Sequence, residues 1–259
     1  MNTTASFDTA SINAALRELY ERKLNATLGE LFKLADLPKR NLSHPLLGEV
    51  TDHYMRSATR LVVVGQQTQT WCGRLDSTRE CLDATRAVEG VIATSFKEYP
   101  KALAGKGKPY GTSPFWRFAQ KVYVQCNPGV NPTPYGFFWT NLWKVDDNAG
   151  SPQADLRKVL LDHFCLLREE IEILRPHAVL CFTGPSHDLR RFLRDDLPGL
   201  SPLTMTEPVS QASLSAGGPV LIRTYHPNHL HWRGRDLWSR TLEQVVKLAV
   251  QSRTAERAR

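Results

Sequence analysis

The sequence predicts an α/β fold, a three-layer α/β/α sandwich whose central sheet has four strands and is mostly parallel. Short apolar runs alternate along the chain with longer amphipathic segments, which is the pattern of strands connected by helices. The four predicted strands cover residues 60–64, 135–145, 178–182 and 220–222. The first of them, RLVVV, is so uniformly apolar that it is expected at the centre of a sheet covered on both faces.

Helices are predicted between these strands because apolar residues recur there at three- and four-residue steps. The predicted helices cover residues 11–36, 76–98, 114–124, 155–174, 187–197 and 238–250. Residues 1–50 are expected to form a helical segment packed on the core, and residues 51–259 to form the main domain. The stretch 201–218 contains many turn-forming residues and is interpreted as a connector.

Composition, charge and cysteine spacing limit the classes of protein to which the chain can belong. The net charge is +7 and the isoelectric point is near 9.3, which fits a polyanionic partner but also a merely basic enzyme. No apolar run approaches the ~20 residues of a membrane span, and the first residues lack the pattern of a secretory signal. The five cysteines include no C-x-x-C pair, so we expect free thiols in a reducing cytoplasm, with no zinc site or iron–sulfur cluster.

Two polar loops follow predicted strands. The first, residues 65–73, reads GQQTQTWCG, and the second, residues 225–234, reads YHPNHLHWRG. Open α/β sheets bind their ligands outside the carboxyl ends of the strands. The sequence therefore predicts a binding site where these two loops face each other.

Three motifs that occur in the same order resemble the uracil-DNA glycosylase superfamily. VVVGQQTQTW, residues 62–71, resembles the first motif of that superfamily, a G-Q-D-P-Y-type loop after the first strand. FFWTNLWKV, residues 137–145, resembles its second strand, whose asparagine reads the flipped base. TYHPNHL, residues 224–230, resembles its second motif, H-P-S-P-L. The resemblance spans about residues 58–250 and implies the three-layer fold and the DNA glycosylase activity of that family.

The resemblance also implies roles for individual residues. His226 matches the histidine that hydrogen-bonds the base O2 as negative charge develops on the leaving group. Asn141 matches the asparagine that reads the base, and Gln66 matches the first glutamine of the first motif. Leu230 matches the leucine that fills the gap left by the flipped nucleotide.

Other positions depart from the family pattern. Gln67 stands where many members have an aspartate that activates water, so an amide there can orient water but is no general base. Gln69 replaces the tyrosine that closes the pocket around C5 of uracil, which predicts a pocket open to pyrimidines substituted at the 5-position. Asn228 and His229 replace the serine and proline of the second motif, and are expected to contact DNA.

Aromatic and basic residues complete the expected site. Trp71 and Phe115 are candidates to contact the base, although both residue types are more often core than stacking platform. Arg233 is expected to grip a phosphate without reading sequence. No cofactor or metal is expected, because the four-cysteine iron–sulfur branches of the family do not fit.

The chemistry of N-glycosidic cleavage agrees with this assignment. The sugar becomes oxocarbenium-like and the base becomes an anion, so catalysis needs donors aimed at the departing oxygen more than a strong nucleophile. We therefore expect a monofunctional, monomeric DNA glycosylase that acts on double- or single-stranded DNA, in base excision repair or in defence against modified phage DNA. Two alternatives stay open: a catalytically weakened member that binds DNA or a partner protein, and a hydrolase of small N-glycosides or nucleotides.

Individual residues also have alternative interpretations. His226 can be a loop-packing histidine, and Asn141 can be a core amide whose hydrogen bonds are satisfied internally. His226, His229 and His231 form an H-x-x-H-x-H pattern that matches no common zinc site. Leu230 can be an ordinary exposed apolar residue.

Overall fold

The computed structural model describes residues 8–69, 72–75, 84–103, 112–129, 136–185, 189–214 and 218–257. Within these ranges, one sheet contains five strands: β1 Leu61–Gln67, β2 Phe138–Trp143, β3 Ala178–Cys181, β4 Val209–Ser213 and β5 Val220–Thr224. Their spatial order is β2-β1-β3-β5-β4. The pairs β1–β2, β1–β3 and β3–β5 are parallel, and β4 pairs with β5 in antiparallel orientation.

The structure confirms a mostly parallel α/β arrangement, but the prediction of four strands is wrong. The fifth strand, β4, lies in the stretch interpreted as a connector. Its Ser210 and Ala212 are buried, whereas Gln211 and Ser213 are exposed. This alternation is typical of an edge strand, but the residues are small and polar, so local sequence gives little signal. The pairing of β4 with β5 stabilises the strand instead.

The described helices surround the sheet. They are α1 Thr9–Ala35, α2 Asp52–Arg56, α3 Ala84–Leu103, α4 Pro114–Cys126, α5 Ala154–His163, α6 Leu167–Leu174, α7 Leu189–Leu193, α8 Pro227–Arg233 and α9 Arg235–Arg257. None of them is both long enough and apolar enough to cross a membrane. The first residues of the helices predicted to begin at 76 and at 187 lie outside the described residues.

The helix predicted over residues 155–174 is divided in two. α5 ends at His163 and α6 begins at Leu167. The three residues between them, Phe164, Cys165 and Leu166, are all buried. One straight helix cannot turn three successive side chains toward one core, since each residue rotates by about 100°. The break therefore allows consecutive apolar residues to be buried.

The core lies on both faces of the sheet. All four residues from Leu61 to Val64 in β1 are fully buried, although successive side chains of a strand point to opposite faces. Buried residues of α1, among them Leu16 and Leu24, belong to the same apolar cluster as these valines. The amino-terminal helix thus shares its core with the sheet.

A buried ion pair connects the sheet to the helices beside β2. Lys144 Nζ lies 2.6 Å from Glu170 Oε2 of α6, and both side chains are shielded from solvent. Tyr20 of α1 donates a hydrogen bond to Glu170 Oε1 over 3.2 Å. Burial lowers the pKa of Lys144, and the adjacent carboxylate opposes that shift. The pair fixes the end of β2, three residues beyond Asn141.

Candidate functional site

The carboxyl ends of four parallel strands meet at one edge of the sheet. The chain passes from β1 to β2 on one side and later to β3 on the other, so its winding reverses between β1 and β3. Ligands of open α/β sheets bind outside the carboxyl ends at such a reversal. Gln66 of β1 spans it, because its Nε2 donates to the carbonyl oxygen of Thr183, just after β3, over 2.9 Å.

Asn141 lies at this edge, against a glycine of the neighbouring strand. Gly65 pairs with Asn141 in the register of β1 and β2. A Cβ atom at position 65 would collide with Asn141 Oδ1 and would lie 3.4 Å from the ring of Phe115. Only glycine leaves room for the asparagine side chain here, as expected for a glycine inside a strand.

The side-chain amide of Asn141 is buried, and its N–H donor has no acceptor among the described residues. The residue is 2% exposed, and its Nδ2 has no hydrogen-bond partner among the described residues. An unsatisfied buried donor costs about 1–3 kcal/mol, so native proteins rarely keep one without a reason. A ligand acceptor at this position would remove that cost.

His226 lies across the same site, stacked on Phe115. The two ring centroids are 5.8 Å apart, with an angle of 26° between the rings. His226 is the N-cap residue of α8, and its Nδ1 accepts a hydrogen bond from the backbone N–H of Asn228 over 3.2 Å. In the neutral ring, the proton is therefore on Nε2. The bond to Nδ1 and the stacking on Phe115 together fix the orientation of the imidazole.

Phe115 joins the two halves of the site. Its ring lies 3.4 Å from the position that a Cβ atom on Gly65 would occupy, and it also stacks on the ring of His226. Ser113 caps α4 and a proline follows it, so the helix starts at a fixed point and places Phe115 in its first turn. The structure thus brings together Phe115, Asn141 and His226, which the sequence analysis selected separately, while Gln66 lies at the same edge of the sheet and is bonded to Thr183.

The remaining residues of the first motif have different environments. Gln67 is half-buried, and its Oε1 accepts a hydrogen bond from Ser151 Oγ over 2.7 Å. Gln69 is exposed at the surface of the loop after β1. Trp71 lies outside the described residues, so its expected contact with the base stays a prediction.

A buried network that the sequence analysis missed holds this loop in place. Thr68 Oγ1 donates to Asp146 Oδ2 over 2.5 Å, and Ser43 Oγ lies 3.2 Å from Thr68 Oγ1. Asp146 Oδ1 also accepts from the backbone N–H of Ala149 over 3.0 Å. Asp146 therefore ties together three segments at the carboxyl edge, and it is fully buried beneath them.

The second motif is a helix rather than the expected loop. α8 begins at Pro227, a favourable first position for proline, and runs to Arg233. Leu230 is fully buried in this helix, whereas both of its sequence-based interpretations place it at the surface, so its contact with DNA stays a prediction. His229 is half-buried and stacks on Tyr225, with ring centroids 4.9 Å apart.

The side chains of α8 that face solvent are the polar and aromatic ones. Asn228 and Arg233 are exposed, as a contact with DNA requires. Trp232 is 82% exposed, although nothing in the motif comparison selected it. Its exposure follows from helix geometry, since two positions beyond a buried residue the helix has turned by about 200°.

Burial raises the pKa of Cys72 and of Cys126, each to about 12, so neither is a thiolate near neutral pH. Within the described ranges, no three His, Cys, Asp or Glu side chains are placed to hold a metal ion. His226, His229 and His231 therefore do not form a metal centre together.

Two of the missed features carried a signal in the sequence. A glycine that ends an apolar strand, as Gly65 does, indicates a close approach of another group. An acidic pair directly after a strand, Asp146 and Asp147, indicates a polar role at the sheet edge. Neither signal identifies the residue that the glycine or the acidic pair contacts, because that residue lies on another strand or loop.

No protein-family model and no curated protein sequence matches the chain.

Proposed function

We propose that the protein is a monofunctional DNA glycosylase that hydrolyses the N-glycosidic bond of a non-standard pyrimidine in DNA and leaves an abasic site. The observation that carries the proposal is the buried, unsatisfied Nδ2 of Asn141 beside the stacked rings of Phe115 and His226. A pyrimidine base has carbonyl oxygens at its edge and a flat face. Such a base would satisfy the donor and pack against the aromatic ring.

His226 stabilises the leaving group in this mechanism. The bond between C1′ of the sugar and N1 of the base breaks, and its electron pair remains on the base. The Nε2–H of His226 donates to the base oxygen on which the negative charge collects. Water adds its oxygen to C1′, one proton of that water passes to solvent, and the base is protonated after release.

Gln67 orients this water without deprotonating it. Its Oε1 already accepts from Ser151, but a carbonyl oxygen has two lone pairs, so a water proton can bind the second. A site without a general base depends on the leaving group. This favours a base that departs more readily than uracil or one that is held by additional contacts.

The position of Gln69 supports a substrate with a substituent at C5. Gln69 is exposed, and an amide in place of the tyrosine of the family would make the pocket around C5 wider and more polar. The alternative is that a neighbour such as Trp71 fills the space and restores a narrow uracil pocket. Competition between DNA containing uracil and DNAs containing 5-substituted pyrimidines, at equal concentrations, tests the proposal. A clear preference for uracil that Gln69→Tyr does not change contradicts an open pocket.

The partner in this proposal is DNA, in base excision repair or in defence against phage DNA that carries modified bases. The net charge of +7 favours association with a polyanion, and Arg233 is exposed at the last position of α8, the helix that His226 caps. Phosphate contacts give affinity without sequence readout, which suits an enzyme that searches for one modified base.

The central test is single-turnover cleavage of duplexes that carry different modified pyrimidines, with abasic sites as the readout. His226→Ala should lower the rate constant by roughly 10²-fold or more on the best substrate, with little change in DNA affinity. His163→Ala, at the exposed end of α5, is the matched control and should leave the rate unchanged. Equal rates for His226→Ala and the parent protein would remove His226 from the mechanism.

The environment of Gln67 also favours a second candidate, a member of the same fold that binds DNA without cleaving it. No carboxylate occupies position 67, and the amide oxygen there is already hydrogen-bonded. This candidate predicts DNA binding with a steep salt dependence and no abasic sites on any substrate of the panel. A hydrolase of small N-glycosides would show neither the binding nor its salt dependence.

A further inference from the structure

Trp232 is exposed in a way that is unusual for its residue type. The large apolar residues that are exposed in the described part of the chain are Leu37, Met205 and Trp232, at 45%, 40% and 82%. An indole left in water forgoes the burial of a large apolar surface. A tryptophan held almost entirely in solvent on an ordered helix is therefore a candidate for contact with a partner.

The surroundings of Trp232 indicate which partner. Arg233 and Arg235 follow it in the chain and are exposed, and His231, which precedes it, is exposed as well. Bases stack on aromatic rings while cationic side chains hold the neighbouring phosphates, which is the combination that binds nucleic acid strands. An apolar protein surface would gain nothing from the two guanidinium groups.

The position of Trp232 relative to His226 limits which base it can meet. Both residues belong to α8, with His226 at its N-cap and Trp232 six positions later. At 1.5 Å of rise per residue, this separation is roughly 9 Å along the helix axis. The separation is too large for both rings to meet one base, and it fits a base neighbouring the nucleotide that enters the site.

We propose that Trp232, and not Leu230, stacks against the base that is left exposed in the duplex when the target nucleotide leaves it. This inference rests on the proposed function for the identity of the nucleotide, but the contact itself requires no cleavage. Flipping the nucleotide costs a few kcal/mol because its base leaves the stack. The indole ring of Trp232 would replace the stacking that the neighbouring base loses. Trp232 is a positioning residue in this scheme and does not touch the reacting atoms.

Affinity for DNA tests the inference without any catalytic readout. The probes are an intact duplex and the same duplex in which a tetrahydrofuran residue replaces one nucleotide, with 2-aminopurine as the adjacent base. Trp232→Ala should weaken binding of the tetrahydrofuran duplex by about 10-fold and binding of the intact duplex much less. Trp232→Phe should retain part of this affinity, because a smaller ring still stacks.

Fluorescence and salt dependence separate stacking from charge. The parent protein should quench the 2-aminopurine emission of the tetrahydrofuran duplex, and Trp232→Ala should not. Trp232→Ala should leave the slope of log affinity against log salt concentration unchanged, whereas Arg233→Ala should reduce it by about 1. Leu37→Ala, which removes an exposed apolar residue outside α8, is the control and should change none of these quantities.

The possible failures are distinguishable. Equal losses of affinity for the two duplexes, or no loss, would overturn the inference even if the protein cleaves modified DNA. If Trp232→Ala selectively loses affinity for the tetrahydrofuran duplex, the inference is supported even when no abasic site forms on any substrate. In that case only the glycosylase proposal fails.

Discussion

Asn141 and Asn127 are both buried asparagines, and comparing their alanine variants tests whether Asn141 is a ligand-binding group or a core amide. Asn127 is fully buried, and its side-chain amide makes three hydrogen bonds. Its Oδ1 accepts from the backbone N–H of Thr59, and its Nδ2 donates to the carbonyl oxygens of Thr59 and Tyr123. Nδ2 of Asn141 has no partner among the described residues. The two residues therefore differ in what their removal costs.

The expected magnitudes follow from these contacts. Asn127→Ala removes three hydrogen bonds, at about 1 kcal/mol each, and should lower the free energy of unfolding by about 3 kcal/mol. Asn141→Ala removes a desolvated donor, worth about 1–3 kcal/mol, and leaves a small cavity of comparable cost. We expect Asn141→Ala to stay within about 1 kcal/mol of the parent protein.

Activity should show the reverse order. Loss of the hydrogen bonds from Asn141 to a base that becomes anionic should cost roughly 3 kcal/mol of transition-state stabilisation, or about 10²-fold in single-turnover rate. Asn127 lies beside Thr59, which precedes β1 at the opposite end of the strand, so folded Asn127→Ala should cleave at the parent rate.

Urea unfolding at neutral pH, combined with cleavage of the best substrate, measures both quantities. The reasoning would be refuted if Asn141→Ala were as destabilised as Asn127→Ala while its folded fraction cleaved normally. Asn141 would then be an amide of the core, and the site would lose the observation that carries the proposed function.

Two further predictions concern the glycine beside Asn141 and an ion pair between helices. Gly65→Ala should displace the Asn141 side chain, because the new Cβ collides with Oδ1. The variant should cleave more slowly, and urea unfolding should show a loss of about 1–3 kcal/mol in the free energy of unfolding. Glu169→Gln should lower stability by about 1 kcal/mol or less at pH 7, and this difference should shrink as the pH falls through the lowered pKa of Glu169. Burial alone would raise the pKa of Glu169, but hydrogen bonds from Lys23 and Arg22 prevail and lower it below 4.5. The stabilisation is therefore present above that value and is lost as the pH falls through the lowered pKa.

The control for the glycine prediction lies in α1. Gly29 has no atom within 4 Å of the place that a Cβ would occupy, so Gly29→Ala should stabilise the helix by about 0.5–1 kcal/mol rather than destabilise it. A gain of stability at Gly65→Ala would contradict the collision with Asn141. A Glu169→Gln difference that does not diminish as the pH is lowered would contradict the assignment of the effect to ionisation.

Burial of four successive residues in β1 shows why the α/β class could be predicted from sequence. Leu61 to Val64 are apolar without interruption, and only a strand covered on both faces hides such a run. Helices such as α1 were likewise predictable, since their buried residues recur at helical spacing. These patterns are local, so the sequence alone contains them.

Strand β4 and helix α8 were not predictable in the same way. The small polar residues of β4 form a strand because β5 supplies the hydrogen-bonding partner, and no window of sequence includes that partner. α8 has only seven residues, too few for a helical period to be recognised, and its Leu230 was expected at the surface. Packing decided which side of this helix is buried, and with it the exposure of Trp232.

The candidate site shows the same division. Sequence selected Gln66, Asn141 and His226 as polar residues near strand ends, through motifs whose order resembles a known family. The parallel order of β2, β1, β3 and β5 was needed to bring them to one edge, because they lie more than 150 residues apart at the extremes. Whether a buried amide has a partner depends on atoms from other segments, so only the tertiary structure distinguishes the unsatisfied Asn141 from the satisfied Asn127.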